Sequence, residues 1–172
     1  KTGLSTYSLN DQLALLLTTS GSTGSPKLVR HSYENIEANA RNICRFFELG
    51  VADRPFIDLP VNYTYGLSVV TSHLYAGGTL LMSSIGMMQA DYWKFMKEQR
   101  ATSFTGVPYS FELLKKLRFF RMNLPDLRLL TQGGGKLSEE LQREFAEFAE
   151  RTGRRFIITY GQTEGTARMA FL

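Results

Sequence analysis

The chain has 172 residues, of which 43% are hydrophobic and 21% charged, with a net charge of +4 and a single cysteine, Cys44. This size and composition predict one globular domain and exclude a disordered chain. They give no sign of a nucleic-acid partner or a membrane span, and the lone cysteine excludes an internal disulfide and favours a reducing, cytoplasmic location.

Short apolar runs alternate with helix-length segments along the chain, and the helical segments have apolar residues at three- and four-residue spacing. The predicted strands are Leu13–Thr18, Lys27–Arg30, Phe56–Leu59, Thr79–Met82, Thr102–Thr105, Leu127–Thr131 and Phe156–Tyr160. The predicted helices are one that includes Ile36, Ala40, Ile43 and Phe47, then Leu67–Tyr75, Asp91–Gln99 and Tyr109–Leu117, and one that includes Leu137, Leu141, Phe145 and Phe148. Strands and helices in alternation require crossover connections, which predicts an α/β fold with a mostly parallel sheet flanked by helices on both faces.

The loop after the first predicted strand has the composition of a phosphate-binding site. Its sequence is TTSGSTGSPK, from Thr18 to Lys27. Small residues let backbone N–H groups converge on an anion, and Lys27 adds a positive charge. A Walker A loop is excluded because Gly24 is followed by Ser25 and Pro26 rather than by Lys and Ser or Thr. The next strand returns at once, which predicts a phosphate-loop hairpin; a flexible Ser/Gly turn without function is the alternative.

Two further glycine-containing turns follow predicted strands. Gly133, Gly134 and Gly135 precede the last helix, where glycines let a flat ligand approach the backbone. The segment from Tyr160 to Gly165, YGQTEG, places an aromatic ring, a hydroxyl and a carboxylate together. Parallel sheets bind ligands at the carboxyl ends of their strands, so these turns are expected at one edge. An ordinary tight turn and an ordinary surface turn remain the alternatives.

Together, the three segments resemble the adenylate-forming superfamily of acyl-CoA synthetases, aryl-acid ligases, luciferases and nonribosomal peptide adenylation domains. Residues 19–27 match its phosphate loop, T-S-G-[ST]-T-G-x-P-K, at every position, and residues 160–164 match its Y-G-x-T-E motif in full. The resemblance covers essentially the whole chain. It implies that residues 1–172 form the ATP-binding part of the large N-terminal domain of such an enzyme.

The resemblance also implies roles for individual residues. Lys27, Thr163 and Glu164 would be catalytic, with Lys27 orienting the leaving pyrophosphate, and Ser22 and Glu164 would hold Mg²⁺. The acyl pocket would include Tyr63, Tyr65 and Gly66, although the family usually has another aromatic residue or a histidine at the position of Tyr63. The residues implied to bind the nucleotide are Thr19, Ser20, Gly21, Ser22, Thr23, Gly24, Lys27, Gly133, Gly134, Gly135, Tyr160, Gly161, Gln162 and Thr163.

The implied reaction is attack of a carboxylic acid on the α-phosphate of MgATP, which gives an acyl-adenylate. The acyl group then passes to a thiol, either of CoA or of the phosphopantetheine of an acyl-carrier protein. The resemblance further implies that the full enzyme has a ribose-binding Asp, a hinge Arg and a small C-terminal domain with a catalytic Lys. We therefore expect the 172-residue chain alone to be inactive. The alternatives are a P-loop nucleotidase, and a nucleotide-binding or regulatory module with this fold but no ligase activity.

Three other residues are expected to have structural or solvent-exposed roles. His31 precedes the first long helix and is expected to cap it or pack against it. His73 lies within a predicted helix and is expected to be a hydrogen-bonded structural histidine. Gly135 and Lys136 stand where many members of the superfamily have Ala-Pro. We expect the Lys136 side chain to face solvent rather than the nucleotide, because lysines are seldom buried.

Overall fold

The computed structural model of the protein describes residues 8–19 and 27–172. The strands are β1 (Leu13–Thr18), β2 (Leu28–Ser32), β3 (Pro55–Ile57), β4 (Leu81–Met82), β5 (Ser103–Gly106), β6 (Leu129–Gln132), β7 (Arg155–Tyr160) and β8 (Ala170–Phe171). The α-helices are α1 (Tyr33–Phe47), α2 (Thr64–Tyr75), α3 (Ala90–Glu98), α4 (Pro108–Lys116) and α5 (Glu139–Arg151). Within the described residues, no helix is both long and apolar enough to cross a bilayer.

The larger sheet has the strand order β4-β3-β5-β6-β7-β8 and is parallel except for β8, which pairs antiparallel with β7. The first two strands form a separate antiparallel pair. Next to the loop that connects them, the backbone N–H of Thr19 donates to the carbonyl oxygen of Lys27 over 3.0 Å. The mostly parallel sheet and the hairpin are thus confirmed, and the hairpin tip, residues 20–26, lies outside the described residues.

Both faces of the larger sheet are covered by helices, as predicted. On one face, the register aligns Phe56, Phe104, Leu130 and Phe156 in a row across four strands, and this row packs in the main apolar cluster with residues of α3, α4 and α5. On the other face, Leu129 and Ile157 pack against Ile43 and Phe47 of α1. Strands buried on both faces explain why the sequence shows continuous apolar runs rather than strict alternation.

The strand order reverses at β3, which pairs with both β4 and β5. The connection from β3 to β4 runs through α2, which packs beside α1. The next connection runs through α3, whose Tyr92 and Met96 belong to the cluster on the opposite face. In open α/β sheets, ligands bind at the carboxyl ends of the strands near such a reversal, so a site is expected at this edge of the sheet.

The ends of helices α1 and α5 carry residues that commonly cap or end helices. Ser138 caps α5 by accepting a hydrogen bond from the N–H of Leu141 over 3.3 Å. Gly153, with φ of +66°, follows the last turn of that helix. At the start of α1, Ser32 and Asn35 form a reciprocal capping box. His31 is therefore not the cap; it is buried in β2.

Candidate active site

An open cleft of about 820 Å³ lies where the carboxyl end of the parallel sheet meets the β1–β2 hairpin. Four segments of the larger fold line it: residues 63–65 after β3, 134–136 after β6, 158–164 at the end of β7, and 167–168 before β8. Thr19 and Lys27, at the loop end of the hairpin, complete the described lining. The turns that stood out in the sequence therefore meet at one site.

Most of the residues predicted for the site and described in the structure line this cleft. They are Thr19, Lys27, Tyr63, Tyr65, Gly134, Gly135, Tyr160, Gly161, Gln162, Thr163 and Glu164. Gly133 is buried just behind the lining, and Gly66 is buried in the first turn of α2 against the carbonyl groups of Leu59 and Pro60. Ser20, Gly21, Ser22, Thr23 and Gly24 lie outside the described residues.

The glycine turn after β6 lets two tyrosine rings lie directly against the backbone. A Cβ on Gly133 would come within 2.6 Å of the Thr159 hydroxyl and 3.0 Å of the Tyr65 ring. Gly134 has φ of +75°, and a Cβ there would collide with the Tyr63 hydroxyl. The buried side chain of Gln132 holds the turn by donating to the carbonyl oxygens of Gly133 over 3.1 Å and of Gly135 over 2.9 Å.

The turn after β7 carries the hydroxyl and carboxylate of the predicted motif. Thr163 begins a short 3-10 turn that ends at Gly165, and its Oγ1 accepts a hydrogen bond from the Thr64 hydroxyl over 3.3 Å. The Tyr160 ring is 62% exposed and Glu164 is also exposed, so both are accessible to a ligand. A Cβ on Gly161 would lie 2.5 Å from the backbone nitrogen of Arg168, so only glycine fits there.

The charges around the cleft suit an anionic ligand. Lys27, Lys136 and Arg168 line its described part together with a single carboxylate, Glu164. Lys136 is exposed, as expected, and it also faces the cleft. The described residues contain no group of three or more His, Cys, Asp or Glu side chains that could enclose a metal ion. One carboxylate fits Mg²⁺ all the same, because this ion is commonly held by one or two carboxylates together with substrate phosphates.

Behind the cleft lies a buried polar cluster that the sequence analysis did not find. The Thr105 and Thr131 hydroxyls are 2.8 Å apart, and the Tyr65 hydroxyl donates to Thr131 over 3.3 Å. Nη2 of Arg168 reaches Thr105 over 3.2 Å and Thr131 over 3.5 Å. An arginine in the sequence TARMAF looks like a surface residue, so no local signal predicts this cluster.

Tyr63 lies at the edge of the cleft. Burial raises the pKa of its hydroxyl, and the neighbouring Tyr65 is a smaller cause of the same shift.

Comparison with known proteins shows that the chain is similar to AMP-binding enzymes. The family model described as "AMP-binding enzyme" matches residues 5–171. The chain is 31% identical over 156 residues to a linear gramicidin synthase of Brevibacillus parabrevis, covering 90% of this chain and 2% of that protein. It is 28% identical over 164 residues to oxalate–CoA ligase of Arabidopsis thaliana, covering 93% of this chain and 31% of that enzyme. The chain thus spans less than a third of these relatives.

The fold also matches solved structures. O-succinylbenzoate coenzyme A synthetase (MenE) from Bacillus subtilis, in complex with AMP, superposes with a TM-score of 0.81 at 25% identity. The match covers 94% of this chain and 32% of that enzyme. The mostly parallel sheet, with helices on both faces, is therefore an arrangement that is already known to carry a bound adenine nucleotide in another protein.

Proposed function

Because the chain belongs to the AMP-binding enzyme family, we propose that the full-length protein activates a carboxylic acid with ATP and then transfers the acyl group to a thiol. The first step joins the carboxylate oxygen to the α-phosphorus and releases pyrophosphate. The second releases AMP as a thioester forms. The names of its relatives, a gramicidin synthase and a CoA ligase, support acid activation and thiol transfer as the general chemistry.

One observation carries this proposal: the hairpin ends, the glycine turn and the Tyr160–Glu164 turn converge on a single cleft. A triphosphate and an acid must meet at one point for this reaction, and holding two reactants in line supplies much of the acceleration. Segments that are more than a hundred residues apart in sequence supply the parts. A surface turn or a structural glycine would not have to converge on the others.

The nucleotide would lie across the turns after β6 and β7. The exposed Tyr160 ring offers a stacking surface for adenine, and Gly134 and Gly135 leave room for its other face. The Thr163 hydroxyl, already oriented by Thr64, would donate to the α-phosphate. Lys27 would stabilise the negative charge that develops on the departing pyrophosphate.

Glu164 and Ser22 are the proposed protein ligands of Mg²⁺, with Ser22 outside the described residues. When bound, the ion would neutralise phosphate charge and hold the leaving oxygens in position. Glu164 is suited to this because it is the only carboxylate on the described lining and its exposed side chain can rotate toward the phosphates.

We further propose that residues 1–172 correspond to the ATP-binding part of the large N-terminal domain of such an enzyme. The thiol would belong to CoA or to the phosphopantetheine of an acyl-carrier protein. A cytoplasmic location is also a proposal, and it is supported by the single cysteine, Cys44, since this usage is typical of a reducing compartment.

The test is ATP–pyrophosphate exchange by the full-length protein with a panel of carboxylic acids. We expect exchange with at least one acid, and a loss of about 100-fold or more in the Glu164→Ala variant together with weaker dependence on Mg²⁺. The matched control is Glu150→Ala, an exposed glutamate on α5 that does not line the cleft. ATP binding without exchange for any acid would favour a nucleotide-binding module instead.

A further inference from the structure

Arg168 is a charged side chain buried at the wall of the proposed active site. It is 5% exposed, and it is among the residues that line the cleft. Its guanidinium lies between two aromatic rings, 5.1 Å from the ring centroids of both Phe47 and Tyr65. Such contacts hold the group in place from two sides, and they leave its N–H edge available for hydrogen bonds.

The charge of Arg168 has no counterion among the described residues. The side chain forms none of the ion pairs found there, and its Nε is fully buried without a hydrogen-bond partner. The hydrogen-bond partners of the guanidinium among the described residues are neutral hydroxyls, with Nη2 reaching Thr105 and Thr131. Burial lowers the pKa of Arg168, and arginine nevertheless stays protonated in proteins. A buried, charged and incompletely bonded guanidinium is costly unless an anion compensates it.

Other arginines of the chain are bonded differently. Nε of Arg154 donates to the carbonyl oxygen of Leu127 over 2.8 Å, and its Nη2 to that of Leu124 over 2.9 Å. Nε of Arg128 donates to Asp53 over 3.2 Å. These arginines tie segments of the fold together by bonding to carbonyl or carboxylate oxygens. Arg168 has no such acceptor among the described residues and lies at a cleft, which is the setting of an anion-binding arginine.

Neighbouring residues connect Arg168 to the proposed point of acid activation. The ring of Tyr65 contacts the guanidinium, and the hydroxyl of the adjacent Thr64 contacts Thr163, where the acid would be activated. An acid held at both points would have an anionic group at the end away from the activated carboxylate.

We propose that Arg168 binds a second carboxylate of the acid, so that the substrates are dicarboxylic acids, an inference that rests on the proposed function. The planar carboxylate matches the fork of N–H donors and supplies the missing negative charge. The Thr105 and Thr131 hydroxyls orient the guanidinium for this contact. An acid that ends in a methyl group would leave the buried charge unpaired, which is the strongest basis on which a polar site rejects an analogue.

The proposal is tested first by the acid profile of the full-length protein. ATP–pyrophosphate exchange is measured with matched pairs of equal chain length: succinate and butyrate, glutarate and pentanoate, adipate and hexanoate. We expect kcat/KM for one or more diacids to exceed that of the matched monoacid by about 100-fold. Preference for the monoacid in every pair would overturn the inference while the proposed function stands. Exchange with none of a wide acid panel would contradict the proposed function itself.

Three variants separate recognition from a structural role. Arg168→Met should lose the preference for diacids, with kcat/KM for monoacids retained or raised. Arg168→Lys keeps the positive charge without the planar set of N–H donors and should retain part of the preference for diacids. This variant also tests the proposal if Arg168→Met does not fold. The control is Arg154→Met, which also removes an arginine stacked on a ring, Phe148 at 5.3 Å, but away from the cleft. It should lower Tm and leave the acid preference unchanged.

A binding measurement gives a readout that does not depend on turnover. Wild-type protein should be stabilised by a saturating diacid more than by its matched monoacid, seen as a larger rise in Tm. In Arg168→Met this difference should disappear. Equal loss of exchange with both acids in Arg168→Met and Arg168→Lys, with the preference ratio unchanged, would make Arg168 a purely structural residue and overturn the proposal.

Discussion

At the scale of single residues, the glycine turn shows how a missing side chain shapes the site. Gly133 and Gly134 have no space for a Cβ, because Tyr65 and Tyr63 occupy it. The rings thereby form one wall of the cleft directly beside the backbone that is proposed to face adenine. A substitution in this turn should therefore alter ligand binding and not only backbone conformation.

Gly134→Ala should raise the KM for ATP of the full-length protein several-fold, because the added methyl group must displace the Tyr63 hydroxyl. It should also cost about 1 kcal/mol of stability, since an L-residue is strained at φ of +75°. Gly153→Ala is the matched control: its φ is +66° and its Cβ would meet nothing within 4 Å. Steady-state kinetics and Tm of both variants check this. Equal KM values in the two variants would contradict it.

His73 makes the stability of the fold depend on pH. It is 2% exposed; its Nδ1 bonds to the carbonyl oxygen of Val69 at 2.7 Å, and its Nε2 has no partner among the described residues. Burial is the main cause that lowers its pKa from 6.5 to about 4. Between these values the unfolded chain binds the proton and the folded chain does not. This contribution to stability is therefore complete above pH 6.5 and is lost as pH falls toward 4.

We predict that replacing His73 removes part of this acid sensitivity. The shift is worth about 3 kcal/mol, because one pKa unit corresponds to about 1.4 kcal/mol. His73→Asn can keep a polar contact to Val69 and cannot titrate. Urea unfolding at pH 7 and pH 4.5 measures how much the free energy of unfolding falls with acid in the wild-type chain and in the variant. The prediction fails if stability falls equally with acid in both proteins.

At the scale of elements, Asp53 links the amino ends of three neighbouring strands. Its Oδ2 accepts from the N–H of Gly50 over 2.8 Å, before β3. Its Oδ1 accepts from the Thr102 hydroxyl over 3.1 Å, next to β5, and from Nη2 of Arg128 over 2.6 Å, next to β6. The side chain is 6% exposed, so these contacts are shielded from water. The edge opposite the cleft is thus the part of the sheet that this carboxylate fixes.

Asp53→Ala should destabilise the chain by about 2–3 kcal/mol, because it leaves the Gly50 N–H and the Thr102 hydroxyl without their acceptor and the Arg128 cation without its partner. The matched control is Asp126→Ala. It also removes an Asp–Arg pair, but there the Arg100 side chain is 75% exposed, and such a pair contributes about 1 kcal/mol or less. Urea denaturation followed by Trp93 fluorescence compares the two. Similar denaturation midpoints for the two variants would contradict the prediction that Asp53 contributes more to stability than Asp126.

At the scale of the whole molecule, residues 8–19 and 27–172 leave the cleft open on its outer side. Tyr160 and Glu164 are exposed, and the chain spans 31% of the length of oxalate–CoA ligase. Enzymes of this kind of chemistry gain from closure of the site, which excludes water and completes the set of catalytic groups.

The 172-residue chain alone is therefore predicted to bind ATP weakly and to form no measurable acyl-adenylate. Incubation with MgATP and a mixed pool of carboxylic acids, followed by assay of pyrophosphate, measures this. The full-length protein under the same conditions is the positive control. Robust pyrophosphate release by the chain alone would mean that the residues of this cleft are sufficient for the first half-reaction.

Local pattern in the sequence predicted most of the elements. The strand Leu13–Thr18 was predicted to the residue. The ends of the other predicted strands lie within two residues of the observed ends, and the observed strand Leu81–Met82 is shorter than the predicted Thr79–Met82. Helix α2 begins at Thr64, before its apolar run, and β8 was missed altogether. Two residues are too few for periodicity to be visible, and Ala170–Phe171 is a strand only because β7 offers it an edge.

What the sequence determined by itself was the set of local signals: apolar periodicity and three turn motifs that together indicate a family. The tertiary structure determined which of these segments are neighbours. It placed turns from distant parts of the chain on one cleft and buried His73, which has the expected hydrogen bond at Nδ1 and no partner at Nε2 among the described residues. It also buried Arg168 against Thr105, Thr131 and Tyr65. Burial and counterions depend on residues far away in sequence, so no local pattern contains them.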